Sequence, residues 1–446
     1  MKTIKSSFII TLAIILNGCS NTNPNWQSIR LKNNLIELEV VPEIGGRVIQ
    51  YKLGDYGFFL LNEKLKERKP PESGLGPNGQ WLNYGGDKLW PAPQGWNNEN
   101  QWPGPPDAVL DGGKYDAKNI QSKNGKPIAV KLTSQTNAQS GIQLSRTIKI
   151  FDASTRVSID AQMKNVDNKP RRWGIWSHTQ FNAKNRYGKG FNQNYHAYCS
   201  INPNSIFPKG YDVIFGIAQN PSFKPDYKKS VMDVHYHRLV GKIGMDSSAG
   251  WIATVDGTDG MVFVQRFTFQ QGKEYPDNSS VEFWTDGHGK IYAYNKLMTM
   301  PEDCGYGFES EIIGPYEKLN PSETADFHYE WYAATIGGNY QISDCSSYGV
   351  TCEKFSAALE NNDLKIHGRY GIFYEGSVQL QLKDESATVV AKSKTSIPVS
   401  PLKPLVLENT KLAEGIDFNN KAVEAVIVIR DVNGKILGEL AKTNLK

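Results

Sequence analysis

The segment LIELEVVPEIGGRVIQY, residues 35–51, decides the fold class. Apolar and polar side chains alternate over its first seven residues, a pattern typical of a strand with one buried face. The following PEIGG supplies turn residues, and alternation resumes at Arg47. Two alternating runs around a short turn predict a β-hairpin.

Runs of this kind recur along the chain on both sides of that hairpin. Before residue 336 they predict strands at 128–132, 142–151, 156–165, 173–181, 233–240, 250–255, 261–269, 281–285, 308–313 and 325–334. No helical pattern longer than a turn or two interrupts them. The spacing predicts a large all-β sandwich.

A second kind of segment, WLNYGGDKLWPAPQGWNNENQWPGPPDAVLDGGKY, occupies residues 81–115. Its Pro and Gly residues exclude a helix, and its four Trp argue against disorder. An ordered loop with exposed indoles and polar side chains suits a sugar, whose C–H faces stack on rings. The predicted sugar-binding residues here are Trp90, Trp96, Asp87, Lys88 and Gln94. The alternative is a loop that packs its Trp into a small core of its own.

Beyond Gly337 the chain changes character, because aromatic residues become sparse and the strands become short. We interpret residues 336–352 as a linker and residues 353–446 as a small immunoglobulin-like β-sandwich. An Asn-Gly turn at 433–434 supports a hairpin near its end. Spacing is the predicted role of this part, with ligand binding second.

The N-terminus is interpreted as a targeting signal. Two Lys precede a short apolar run that ends in Leu-Asn-Gly-Cys at Cys19, which resembles a bacterial lipobox. Residues 1–18 are therefore a predicted lipoprotein signal peptide, and Cys19 is the predicted lipidation site. The expected location is the outer membrane, facing the periplasm, with the lipid as the only membrane attachment.

Length and composition set the class of partner. A chain of 446 residues can form two domains, and 11% aromatic residues favour a carbohydrate ligand. The net charge of +4, without a basic run, does not indicate nucleic acid.

Cysteine usage agrees with an exported protein. Cys345 and Cys352 are close enough in sequence to form a disulfide, which leaves Cys199 and Cys304 for geometry to decide. Zinc is the rival interpretation, but no clustered Cys/His spacing supports a metal site.

Three motifs together resemble a known bacterial family. They are VVPEIGGR ending at Arg47, GGDKLWPAPQ at residues 85–94, and ESEIIGP at residues 309–315. The chain from about residue 29 to 335 is similar to the domain-of-unknown-function 4380 family, grouped with galactose-mutarotase-like proteins. That resemblance implies a β-supersandwich over residues 26–335, with a sugar-sized cleft on one face of a long sheet. It supplies no settled reaction.

Two local matches to mutarotases are more specific. The run SHTQFN at 177–182 resembles their NHxYFN, which implies a catalytic role for His178. The run GYGFESE at 305–311 resembles their GxCLETQ, which implies Glu309 as the catalytic carboxylate. Mutarotation needs a base for the anomeric hydroxyl and an acid for the ring oxygen, and Glu and His suit those roles. Gln180 and Glu311 depart from the family pattern.

Other titratable residues extend the list of predicted catalytic groups. His235 and His237 share one strand face, and Glu309 and Glu311 share another, so a glycosidase-like carboxylate pair is a further hypothesis. The structural alternatives are a core histidine at His178 and a solvated or salt-bridged Glu.

A lyase is the third chemistry that fits. Tyr236, His235 or His237 would be the base, and Arg266 and Lys88 would neutralise a uronate, while Arg47 is a further predicted binding residue. No cofactor motif is present in the sequence.

The sequence thus predicts an envelope-anchored carbohydrate-active protein that binds, epimerises or cleaves sugars during polysaccharide utilisation. A non-catalytic glycan-binding lipoprotein and a uronate lyase are the alternatives. Convergence of Glu309 with His178 and the His235–His237 pair beside Trp90 would favour catalysis.

Overall fold

The computed structural model describes residues 25–445 except 67, 294–295, 301–304, 361–362, 409–411, 415 and 417–420. These residues are almost entirely strand and connecting loop, as the alternating sequence predicts. The all-β fold class is confirmed. In this part of the chain no helix has the length and apolar character needed to cross a membrane. The predicted signal peptide and Cys19 lie outside the described residues.

The elements follow in chain order. Up to residue 182 the strands are β1 (Ile29–Lys32), β2 (Ile36–Val41), β3 (Arg47–Leu53), β4 (Tyr56–Gly57), β5 (Asp87–Ala92), β6 (Asp116–Gln121), β7 (Pro127–Thr133), β8 (Ile142–Ile150), β9 (Val157–Asn165) and β10 (Arg171–Asn182). The strands that follow are β11 (Tyr195–Ser200), β12 (Asp212–Phe215), β13 (Phe223–Asp226), β14 (Val231–His235), β15 (Gly241–Met245), β16 (Trp251–Asp256), β17 (Met261–Phe267), β18 (Val281–Thr285), β19 (Gly289–Ala293), β20 (Lys296–Met300), β21 (Gly307–Ile313), β22 (Glu317–Leu319) and β23 (Thr324–Thr335). The last are β24 (Asp344–Cys345), β25 (Gly349–Glu360), β26 (Asp363–Ile372), β27 (Gly376–Lys383), β28 (Val389–Lys392), β29 (Ile397–Val399), β30 (Leu405–Val406), β31 (Glu424–Arg430) and β32 (Ile436–Asn444). The helical segments are α1 (Glu63–Lys66) and the 3₁₀ turns Pro77–Gly79 and Pro276–Asn278.

Two large antiparallel sheets face each other and enclose the main hydrophobic core. The cleft sheet has the order β1-β2-β3-β5-β10-β21-β18-β15-β12, with β4 beside β3 and β22 beside β10. The back sheet has the order β13-β14-β11-β16-β17-β23-β9-β8-β7-β6. This is the predicted β-supersandwich. Each strand therefore has one face towards the core and one face outward.

The opening hairpin forms as predicted, since β2 pairs with β3 and Leu38 lies opposite Tyr51. Its turn carries Gly45 at φ +71°, in the left-handed region. A Cβ on Gly45 would lie 2.0 Å from the carbonyl oxygen of Asp111, so glycine permits this close approach of two loops. The turn thereby holds Asp111 in place behind the cleft.

One part of the aromatic segment is not a loop. Residues 87–92 form β5, a buried strand between β3 and β10, although Pro91 cannot donate a ladder hydrogen bond. Packing on both neighbours outweighs the low strand propensity of Pro91 here. The loop proper begins after Ala92 and carries Trp96 and Trp102.

The part beyond Gly337 forms two further small sheets, one of β24-β25-β26-β30 and one of β28-β27-β31-β32 with β29 beside β27. They enclose a separate hydrophobic core. A second apolar cluster, which includes Tyr332 and Phe373, packs this sandwich against the back sheet. β25 starts at Gly349, before the predicted boundary at 353, and the domain limits stay a prediction.

The predicted Cys345–Cys352 disulfide is not formed, and both residues are free thiols. The hairpin register is the reason: Cys345 lies opposite Val350, two strand positions away from Cys352. Diagonal neighbours at that offset are farther apart than a disulfide allows. Cys199 is a buried thiol near Met245, and Cys304 lies outside the described residues.

Candidate functional site

The strand register of the cleft sheet builds the site in rows, because residues opposite each other in antiparallel strands share a face. In one row β10 places His178 opposite Lys88 on β5 and opposite Glu311 on β21. In the next row Glu309 lies opposite Gln180 on one side and Trp284 on the other. These side chains point outward, away from the core.

A cavity of about 540 Å³ lies over these rows, within the range of small-molecule sites. Its wall is dominated by aromatic rings, with His178, Gln180 and Glu309 on its floor. The aromatic residues that line it are Trp81, Trp90, Trp96, Trp176, Trp284 and Phe215. The combination of rings and a few polar groups suits a sugar.

Glu309 is held by two neighbours. The carboxylate oxygens lie 3.0 Å from His178 Nε2 and 2.7 Å from Gln180 Nε2, which donates to it. Burial raises the pKa of Glu309, and the charge of Lys88 together with the Gln180 hydrogen bond partly opposes that rise. The result is a positioned carboxyl group whose proton affinity is increased, as a general base requires.

His178 is a neutral positioning group in this arrangement. Its side chain is only 4% exposed, and its ring lies 4.1 Å from the Trp90 ring. Burial and then the charge of Lys88 hold the pKa of His178 well below its usual value. With Glu309 at 3.0 Å, the neutral tautomer that donates from Nε2 fits best.

A buried ion cluster lies under the cavity beside His178. Lys242 contacts Glu311 at 3.0 Å and Glu282 at 2.6 Å, and the Trp176 indole donates to Glu311 at 2.7 Å. Burial by itself would lower the pKa of Lys242, but the two carboxylates hold it above its usual value. Glu311 is completely buried and does not line the cavity, although one of its carboxylate oxygens lies within 4.8 Å of one of Glu309. The predicted Glu309–Glu311 pair is therefore close in space, with only Glu309 open to the cavity.

Lys88 and Trp90 form the layer behind the floor. The ammonium of Lys88 donates to Gln180 at 2.8 Å and lies 4.7 Å from the Trp90 ring centroid. Burial and then the charge of Arg47 lower the pKa of Lys88 to about 7. The sequence predicted that Lys88 reaches the sugar, but Lys88 does not line the cavity. It contacts Gln180, which does.

Asp111 ties the aromatic wall to the sheet. It accepts from the Trp81 indole at 2.8 Å and from the Trp90 indole at 3.2 Å. Arg47 pairs with the same carboxylate at 2.7 Å and is completely buried. Arg47 therefore does not reach the cavity as the sequence predicted, because its charge is paired behind the wall.

The three remaining residues predicted from the aromatic segment have different positions. Trp96 and Gln94 line the cavity, as expected for binding groups. Asp87 is completely buried on the core face of β5, where it pairs with Arg146 of the back sheet. Asp87 therefore does not line the cavity as the sequence predicted, because consecutive strand residues point to opposite faces and Lys88 takes the outward position.

The structure does not bring the second group of predicted residues to this site. His235 and His237 lie on the outer face of the back sheet, where His235 stacks on His196 and bonds to the Gln193 carbonyl at 2.7 Å. Tyr236 points inward and packs on Phe308, the core-facing neighbour of Glu309. The His pair therefore lies on the opposite side of the sandwich from Glu309 and His178, and its catalytic role stays a prediction that the cavity does not use.

Arg266 also lies away from the cavity. It lies on β17 of the back sheet, opposite Trp251 and Glu330, and does not line the cavity. Convergence beside Trp90 is thus achieved by Glu309 and His178 without the His235–His237 pair.

Among the cavity residues that sequence reasoning missed are Lys242, Trp284 and Asp286. The sequence did contain a signal for Trp284 and Asp286. Glu282, Trp284 and Asp286 alternate with apolar residues, so a strand there must turn two acids and an indole to one face. Lys242 had no such signal in the sequence.

Among the described residues, the set His178, Glu309 and Glu311 has donor atoms close enough to hold a metal ion, all within 4.8 Å of one another. The ammonium of Lys242 is already 3.0 Å from Glu311 and would repel a second cation. A proton shared among these donor atoms suits the set better than a metal ion, and we assign no metal to it.

The family is shown by a match to the model of DUF4380, a domain of unknown function, over residues 26–334. The chain belongs to the DUF4380 family. The matched region contains the cleft sheet, the back sheet and every residue of the cavity described above. In this DUF4380 protein the C-terminal sandwich lies outside the match.

Several solved structures are similar to the DUF4380 protein at low identity. A galactose mutarotase-like protein from Lactobacillus casei matches with 13% identity over 69% of this chain and 100% of its own, at a TM-score of 0.45. A galactose mutarotase related enzyme from Lactobacillus acidophilus matches with 9% identity over 71% and 100%, at 0.42. A galactose mutarotase-like protein from Clostridium acetobutylicum matches with 11% identity over 70% and 96%, at 0.41.

Proposed function

We propose that this protein binds a neutral aldose, or the reducing end of an oligosaccharide, and catalyses proton transfer at its anomeric centre. The observation that carries the proposal is the Glu309 carboxyl group on the floor of an indole-lined cavity, held by His178 and Gln180. Glu309 would take the proton of the anomeric hydroxyl while an acid protonates the ring oxygen, which opens the ring and permits mutarotation.

The cavity chemistry disfavours a uronate. Glu309 and Asp286 are its carboxyl groups among the described lining residues, and its ammonium, Lys242, is already bound by two buried carboxylates. A uronate there would meet negative charge without an available cation. A neutral sugar meets no such penalty, so the structure supports an epimerase better than a lyase.

A glycan-binding protein without turnover is the second candidate. The aromatic wall alone would support it, because stacking rings need no proton transfer. The site argues for more than binding, since a carboxyl group with a raised pKa is costly to bury without a task.

The proposal is tested by following the optical rotation of freshly dissolved α-D-galactose and α-D-glucose with and without purified protein. Catalysis accelerates the approach to equilibrium in proportion to protein concentration. Unchanged rates for these sugars and for a panel of reducing oligosaccharides, together with measurable binding, would support the glycan-binding alternative instead.

Removing an exposed ring from the wall should weaken binding. Trp284 is half-buried beside Glu309, and its outer ring surface faces the cavity. We expect Trp284→Ala to weaken aldose affinity by about 1–3 kcal/mol, the range for stacking platforms. Isothermal titration calorimetry with D-galactose measures the change.

Trp90→Ala, which also removes a ring from the cavity lining, is a second variant with a different expected effect. Trp90 is 3% exposed and packs on His178 and Trp176, so its loss should reduce unfolding stability by about 3–5 kcal/mol. Full affinity in a folded Trp284→Ala protein would place the sugar elsewhere.

We also propose that the protein is anchored in the cell envelope through lipid on Cys19 and handles sugars released during polysaccharide utilisation. The support is the Leu-Asn-Gly-Cys box after a short apolar run. We expect Cys19→Ala to abolish labelling by a palmitate analogue and to leave an unprocessed or soluble protein. Unaltered mobility and outer-membrane fractionation of that variant would refute the anchor.

A further inference from the structure

Asp286 lies just beyond the end of β18, diagonally across from Glu309 of β21, on the outward face of the cleft sheet. β18 places Trp284 opposite Glu309, and the Asp286 backbone N–H donates to the Gly307 carbonyl at 2.9 Å. Asp286 is therefore opposite Gly307, and Gly307 precedes Glu309 by two residues on the same face. Diagonal neighbours of this kind have their Cα atoms about 7–8 Å apart, with both side chains directed outward.

Glycines keep the Asp286 carboxyl group open to the cavity. A Cβ on Gly307 would lie 3.3 Å from the Asp286 Cβ, and a Cβ on Gly305 would lie 3.3 Å from its Oδ2. The N–H of Gly287 donates to Oδ1 at 3.0 Å and fixes the orientation of the group. Asp286 itself lines the cavity together with Glu309.

The proposed reaction requires an acid that the floor of the site does not supply. His178 is neutral and already engaged by Glu309, so it has no proton to give to a ring oxygen. Lys242 is held by Glu282 and Glu311 under the floor. Asp286 is a further titratable group in the described lining, and its carboxyl group faces the same space as Glu309.

We infer that Asp286 is the catalytic acid that acts opposite Glu309 at the sugar ring oxygen. The inference rests on the proposed function and assigns its second proton-transfer group. Burial and then the negative charge of Glu309 raise the pKa of Asp286 to about 6, against the opposing effects of the Gly287 and Gly307 backbone hydrogen bonds and the charge of Arg238. A fraction of the carboxyl groups is therefore protonated near neutral pH.

The proton balance closes with these two residues. Glu309 takes the O1 proton, the C1–O5 bond breaks, and Asp286 gives its proton to O5, which leaves a free aldehyde and a hydroxyl group. After rotation about C1–C2, the Asp286 carboxylate takes back the O5 proton, O5 attacks C1, and Glu309 returns its proton to O1. No electron acceptor or co-reactant is required.

The test is a pH–rate profile of α-D-galactose mutarotation. Because Asp286 must be protonated, the wild-type rate should fall about tenfold per pH unit above its pKa of about 6. Asp286→Asn should lower the rate about 10²-fold and abolish this basic limb, and Asp286→Glu should restore part of both. Asp152→Asn, which alters a side chain 90% exposed, is the control that should match wild type.

A wild-type rate and basic limb in Asp286→Asn would overturn the inference while leaving the proposed function intact. An inactive wild type would instead overturn the proposed function, and the inference with it. In an active protein, ¹³C NMR of the labelled carboxyl groups is a second readout. The Asp286 titration midpoint should fall in Glu309→Gln and shift with D-galactose, and a midpoint that responds to neither overturns the inference.

Discussion

Glu309→Gln should lower the mutarotation rate by about 10²–10⁴-fold while leaving aldose affinity largely unchanged. An amide has the shape of the carboxylate, and its oxygen can still accept from His178 or from Gln180, but it cannot take up the proton of a hydroxyl group. The measurement is a polarimetric rate at saturating D-galactose beside a calorimetric dissociation constant. The loss should therefore lie in kcat.

Glu63→Gln is the matched control, because its side chain is 70% exposed and its contact with Lys66 is a surface pair. Wild-type kinetics are expected for it. If Glu309→Gln retained the wild-type rate, Glu309 would not be the base, and the mutarotase-like role assigned to this residue would be wrong.

The second large effect concerns stability. Asp87→Ala should lower the free energy of unfolding by about 3–5 kcal/mol, because it leaves the Arg146 guanidinium charged and unpaired between the two sheets. Asp87 also accepts from Thr179 at 2.8 Å and from Ser177 at 3.1 Å, so three donors lose their partner at once. Urea unfolding followed by tryptophan fluorescence measures the shift.

Two controls separate this buried pair from ordinary surface charges. Glu274→Ala removes the partner of Arg172 at a surface where the Glu274 side chain is 82% exposed, and should cost at most about 1 kcal/mol. The double variant Asp87→Leu with Arg146→Met should recover most of the loss, since it leaves no buried charge. A stability change for Asp87→Ala as small as that for Glu274→Ala would refute the interpretation.

Several features were accessible from the sequence because they are local. Alternation along a strand fixes which residues share a face, and this was sufficient for the opening hairpin and for most strands of both sheets. The resemblance of the runs around His178 and Glu309 to mutarotases also brought together two residues that the structure places 3.0 Å apart. The two matched runs lie on β10 and β21, which pair directly, and this pairing brings His178 close to Glu309.

Other predictions required information that alternation does not contain. His235 and His237 share a face as predicted, but β14 joins the back sheet, so that face is on the far side of the sandwich from the cavity. Asp87 and Lys88 are adjacent in sequence, yet one lies in the core and the other behind the floor. Which face is outward depends on the sheet that a strand joins.

The sequence by itself determined that this chain is all-β, that residues 26–334 follow one family pattern, and that an aromatic segment accompanies a Glu and a His. These properties depend on side chains a few positions apart. Only the tertiary structure decided that Trp284, Asp286 and Lys242 complete the cavity. Strands far apart in the chain become neighbours through long-range pairing, and that pairing alone sets which side chains meet.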